Sequence, residues 1–121
     1  MKAFSFESRG TDSEQGTTIF SLRGYIDAHT VIEFEKAVLS AMDTGTSRVI
    51  LDISGLSYIS SAGIGAMMGL TRKLSQSGGD LVLLNPTQKV FAILDGLGFT
   101  RIFKIAYSEA EAVEKMKAES S

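Results

Sequence analysis

Apolar and polar residues alternate from Ala3 to Ser8 (AFSFES), the period-2 pattern of a β-strand with one covered face. Thr17 to Arg23 (TTIFSLR) repeats the alternation with β-branched residues, and the polar stretch Arg9 to Gly16 (RGTDSEQG) is turn-rich, so the two runs predict a hairpin. Gly24 breaks the pattern. From Thr30 the period changes: Val31, Phe34, Val38, Ala41 and Met42 fall at helical spacing, with Glu33, Glu35 and Lys36 opposite. Asp27 and Thr30 are both candidate caps, and Asp43-Thr44-Gly45-Thr46 ends the helix. Arg48 to Ile53 (RVILDI) is almost continuously apolar, as expected of a central strand covered on both faces.

A short link over 54–60 (SGLSYIS) leads to a second helix that opens at Ser61 and runs through Met67-Met68, with Leu70 and Leu74 continuing its apolar stripe. Ser77-Gly78-Gly79 stops it, and Asp80 to Leu84 (DLVLL) reads as another buried strand. Asn85-Pro86 predicts a helix start, with Asn85 as cap and Pro86 at the first helical position. Val90, Ile93, Leu94 and Leu97 give that helix its apolar face, and Gly96 and Gly98 end it. Arg101 to Ile105 predicts a last short strand, and Ser108 with Glu111 is a capping-box pattern that opens a final helix to Lys117. The order β-β-α-β-α-β-α-β-α predicts an α/β fold: a mostly parallel sheet of four to five strands with helices packed against it. The whole chain, 1–121, reads as one domain, with 118–121 a frayed tail.

Composition narrows the chemistry. With 44% hydrophobic residues in 121, the chain can bury a substantial core. The absence of Cys removes disulfides, zinc fingers and a thiol nucleophile, and one His cannot supply a multi-histidine metal site. Twelve basic and fourteen acidic residues leave a net charge of −2, which points to neither nucleic acid nor a polybasic membrane anchor. The N-terminus lacks an apolar stretch of signal-peptide length and no run is long enough to span a bilayer, so a cytoplasmic protein is expected.

One segment stands out: Leu56-Ser57-Tyr58-Ile59-Ser60-Ser61-Ala62-Gly63-Ile64-Gly65 puts two adjacent hydroxyls where a strand hands over to a helix. Serine there can simply cap the helix, with the glycines allowing close packing. The same helix start can also handle phosphate, because its free N–H groups and partial positive charge stabilise an anion. Enzyme readings fit poorly. Gly63-Ile64-Gly65 with Gly69 imitates a dinucleotide loop but is followed by no second βαβ half. A nucleophile elbow fails because Ile59 stands where its first glycine belongs. His29, beside Asp27, reads as a surface turn and helix entry rather than as the base of a triad. Met67 and Met68 could form an adaptable binding face, but at this spacing at least one belongs to the core.

Three stretches together resemble a known family: Leu22 to Thr30 (LRGYIDAHT), Val49 to Gly65 (VILDISGLSYISSAGIG), and Gly78-Gly79-Asp80-Leu81. They are similar to STAS domains, and among these to the stand-alone anti-sigma factor antagonists of bacterial partner-switching systems. The resemblance implies a STAS fold and a switch rather than an enzyme, with no cofactor and no metal. It implies as partners an anti-sigma factor that is a serine kinase with a histidine-kinase-like ATPase fold, and a PP2C-type serine phosphatase. The unphosphorylated antagonist would bind the kinase and release the sigma factor, and phosphorylation would end the binding. Laid on the family pattern Asp-Ser-[Ser/Thr/Ala]-Gly, the acceptor is Ser61, followed by Ala62 and Gly63, with Ser60 in the aspartate's place. Asp27 matches an acidic docking position, and Ile64 and Met68 are expected near the same contact surface. The alternative output is a regulatory or scaffold role in a partner switch that controls secretion, motility or a stress complex.

Overall fold

The computed structural model describes residues 3–10 and 16–119; the expected hairpin turn at 11–15 and the last tail residues, 120 and 121, lie outside the described residues. β1 (Phe4–Gly10) and β2 (Thr17–Ile26) are followed by α1 (Val31–Asp43), β3 (Arg48–Ile59), α2 (Ser61–Gln76), β4 (Asp80–Leu84), α3 (Gln88–Gly96), β5 (Lys104–Ala106) and α4 (Glu109–Glu119). The five strands form one sheet in the order β1-β2-β3-β4-β5. The β1–β2 pair is antiparallel and every other pair is parallel, as crossover helices require.

Continuous apolar strands have a simple cause here. Val49, Leu51, Leu81 and Leu83 join Phe34, Val38, Ile64, Met67, Leu70, Leu74, Val90 and Leu94 in a core under α1, α2 and α3. Their alternate neighbours Ile50, Val82 and Leu84 turn to the opposite face, where Ala112 and Met116 of α4 cover them. Each central strand therefore feeds two cores, so it shows no polar side.

Three expected boundaries move. β3 does not stop at Ile53 but runs to Ile59, taking in most of the supposed link. Its register against β2 shifts twice, between Ser21 and Arg23 and between Gly24 and Tyr25. Asp52 Oδ1 accepts the Ser54 amide and hydroxyl at 3.1 and 2.8 Å at the first bulge, and the Ser57 hydroxyl donates to Gly24 O at 3.0 Å at the second. Bulges re-aim side chains. Leu56 and Ile59 thereby reach the core while Tyr58 stays exposed. Gly55 is needed at this crossing, since a Cβ there would lie 2.7 Å from Leu22 O.

The third helix is capped by Thr87, whose hydroxyl accepts the Val90 amide at 3.1 Å; neither Asn85 nor Pro86 has the expected role. Asn85 takes a positive φ of 53°, a turn conformation that asparagine tolerates, and this delays the helix. The last strand is shorter than expected, because Phe99–Arg101 is a single 3-10 turn and only Lys104–Ala106 pairs with β4. The final helix starts as the sequence indicates: Ser108 Oγ accepts the Glu111 amide at 3.1 Å, while the Glu111 carboxylate accepts the Tyr107 amide at 2.6 Å. Among the described residues no helix is long and apolar enough to cross a membrane.

Candidate functional site

The site forms where β2 and β3 end and α2 begins. Ser60 has an extended backbone (φ −90°, ψ 172°), and its hydroxyl oxygen accepts the Gly63 amide at 3.3 Å, which is an N-cap. Its own amide donates to Ile26 O at 2.9 Å, tying the start of α2 to the end of β2 beside Asp27. Ser61, the first helical residue, is exposed, and its hydroxyl makes no hydrogen bond among the described residues. Two adjacent serines thus differ: one holds the helix, the other faces solvent.

The first turn of α2 has no acidic residue, so none of the helix's own side chains opposes the partial positive charge of its N-terminus. Ala62 and Gly65 are exposed and Met68 is half-buried, two turns from Ser61. Met68 lines a shallow cavity of about 520 Å³ with Thr71, Arg72, Ser75, Gln76, Ile102 and Phe103. Gly63 and Ile64 are buried, Ile64 to 2% exposure. A Cβ on Gly63 would sit 2.8 Å from Ile26 Cγ2 and 2.8 Å from Ile59 Cγ1, so this glycine lets α2 approach the strand ends. Ile64 anchors the helix in the core.

Asp27 organises the neighbouring turn. Its Oδ1 accepts the amides of His29 at 2.8 Å and Thr30 at 3.1 Å, while Thr30 Oγ1 accepts the Asp27 amide at 3.0 Å and donates to Tyr25 O at 3.0 Å. The His29 and Thr30 amides, in that order, hold the Asp27 carboxyl below its usual pKa. Thr30 stands at the N-cap of α1 but makes no side-chain cap bond, because its hydroxyl is used in this turn. Asp27 Oδ2 has no partner among the described residues.

Two tyrosines complete the surface, and the sequence reading gave neither a role. Tyr25 and Tyr58 are register partners across β2 and β3, 39% and 42% exposed, and the Lys89 ammonium lies 5.8 Å from the Tyr58 ring centroid. The signal was present as large aromatics in strand ends beside the two serines, but the bulges that turn them outward were not visible.

An exposed serine at the head of α2, with Asp27 and two exposed tyrosines at the ends of β2 and β3, sits on an α/β fold with one mixed five-stranded sheet. The chain belongs to the STAS domain family, whose pattern matches residues 9–112. It is 32% identical to BtrV of Bordetella bronchiseptica, a protein classed among the anti-sigma factor antagonists, over 88% of this chain and 91% of that one. It is 30% identical to the anti-sigma F factor antagonist of Lysinibacillus sphaericus, over 84% of this chain and 86% of that protein. The anti-sigma factor antagonist SpoIIAA, solved in its unphosphorylated form, superposes with a TM-score of 0.75 at 26% identity, covering 94% of this chain and 97% of that one.

Proposed function

We propose that this protein is an anti-sigma factor antagonist that works as a phosphorylation-controlled partner switch in the cytoplasm. Unphosphorylated, it binds an anti-sigma factor with serine-kinase activity and an ATPase fold of the histidine-kinase type, and the sigma factor is released. That kinase phosphorylates Ser61, binding ends, and a PP2C-type phosphatase resets the cycle. The names of the relatives support the antagonist role, and an unphosphorylated form of SpoIIAA implies a phosphorylated counterpart.

The observation that carries the choice of Ser61 is its free, exposed hydroxyl beside a Ser60 hydroxyl engaged in the cap. A substrate serine needs no base of its own, since the kinase supplies base and ATP. Phosphate would add about −1.5 to −2 charges to a domain of net charge −2. It would do so at the centre of the contact surface formed by Asp27, Ser60, Ser61, Ala62 and Met68 with Tyr25 and Tyr58. Charge and bulk then oppose an interface built around a neutral hydroxyl.

Incubation with a purified anti-sigma kinase and ATP, read by intact mass and fragmentation, tests this. One phosphate on Ser61 is expected, with Ser61→Ala unmodified and persistently bound, and Ser61→Asp weakly bound. Phosphate on Ser60, or tight binding of Ser61→Asp, would overturn it.

A further inference from the structure

The two edges of the sheet are protected unequally. β5 is three residues long, and the Lys115 ammonium of α4 donates to Ile105 O, so that edge is short and partly capped. β1 is seven residues long (FSFESRG), without proline or lysine. The Tyr25 amide donates to Ala3 O at 3.0 Å, so alternation along the antiparallel ladder turns the N–H and C=O groups of Phe4, Phe6, Ser8 and Gly10 to the open side. No main-chain bond to another described residue occupies that side. Phe6 is 36% exposed on the adjoining sheet face, its ring centroid 6.1 Å from that of Phe20.

We propose that β1 pairs with β1 of a second copy of this chain, antiparallel about a two-fold axis at Ser8, joining two sheets into one. Charge selects this register. With the axis at Ser8, Glu7 of each copy lies opposite Arg9 of the other, so two opposite-charge pairs form. Arg9 already pairs with Glu109 of its own chain, and in the dimer it would lie between two carboxylates. An axis at Glu7 would instead oppose two glutamates, and an axis at Phe6 would pair Glu7 with Ser5. The Ser8 axis also sets Phe6 against Gly10 of the other copy, where the missing side chain leaves room for the ring to be covered. An edge of this length sits at the small end of interfaces, below about 1,200 Å², so the dimer should be weak and concentration-dependent.

Sedimentation of the full chain from about 10 μM to about 1 mM should show the mass rising from 13.0 kDa toward twice that value. Ser8→Pro removes only an outward N–H and should stay monomeric with an unchanged circular dichroism spectrum. The chain has no cysteine, so a single introduced thiol reports the register without background. Ser8→Cys would face its counterpart at about 5.5 Å between Cα atoms and should be cross-linked by diamide. Ser5→Cys, roughly 20 Å from its own, should not. The proposal fails if the wild type stays at 13.0 kDa throughout, if Ser8→Pro dimerises as the wild type does, or if both cysteine variants cross-link equally. A chain that stays monomeric but takes an unrelated extended peptide at this edge would also overturn it. None of these readouts involves Ser61.

Discussion

The Ser60 hydroxyl accepts the Gly63 amide at 3.3 Å, and this bond separates the two neighbouring serines into a structural and an available one. Ser60→Ala should therefore cost about 1 kcal/mol, the usual worth of an N-cap. Ser61→Ala removes a solvent-facing hydroxyl and should stay within about 0.5 kcal/mol of the wild type. Urea unfolding of both variants checks the assignment; equal losses would mean that Ser61 also holds the helix.

The glycines of α2 divide in the same way. A Cβ on Gly63 meets the buried side chains of Ile26 and Ile59 at 2.8 Å, and neither can withdraw from the core. Overpacking there costs about 1–3 kcal/mol, more than the roughly 1 kcal/mol that alanine gains over glycine in a helix. Gly63→Ala should be destabilising on balance. At Gly65 and Gly69 an added Cβ meets nothing within 4 Å, so alanine should stabilise by up to about 1 kcal/mol each. Thermal melts of the three variants should show opposite signs.

The order of elements and the serine at the head of α2 were legible because they rest on local signals: periodicity, glycine stops and the Ser60-Ser61 pair. What was missed depends on pairing. The bulges of β3 arise from its register against β2, so the stretch 54–60 looked like a link although it is strand to Ile59. Asn85-Pro86 carried a plausible cap pattern, but with a positive φ at Asn85 the cap of α3 falls at Thr87 instead. Tyr25 and Tyr58 became neighbours only through the sheet.

Acid should weaken the Asp27 turn. Its folded pKa lies below the ordinary value of 3.8, so the carboxylate contributes stability that is fully present above that value. The contribution is lost as pH falls through the folded pKa. Asp27→Asn removes it at every pH. Urea unfolding of both proteins should show the wild type more stable at neutral pH, with the gap closing below pH 3.8. A gap that stays constant down to pH 2 would show that the lowered pKa plays no part.

In the proposed complex a partner docked around Ser61 would bury Tyr25 and Tyr58, both exposed in the free chain. Interface tyrosines often carry more than 1 kcal/mol each, or about tenfold in affinity. Tyr58→Ala should weaken binding to the anti-sigma partner by that order while barely changing the melting temperature. Lys89→Ala, which frees the Tyr58 ring face, should have a smaller effect. Titration calorimetry against the partner separates them, and unchanged affinity in Tyr58→Ala would move the interface elsewhere.

Phosphorylation could end binding either by unfolding the start of α2 or by altering a surface that stays folded. The position of Ser61 favours the second course. A dianionic group at the first helical residue meets the positive end of the helix dipole, and no acidic side chain in that turn competes with it. The expected gain is about 0.3–1 kcal/mol at low ionic strength, worth roughly 1–5 °C in a domain of this size. Phosphorylated protein, and more weakly Ser61→Asp, should melt above the unmodified chain, with the increment shrinking as salt is added. A lower melting temperature with loss of helical signal would mean that the modification works by melting α2. The stable, recharged surface is the outcome expected of a switch read by its partner's geometry and charge.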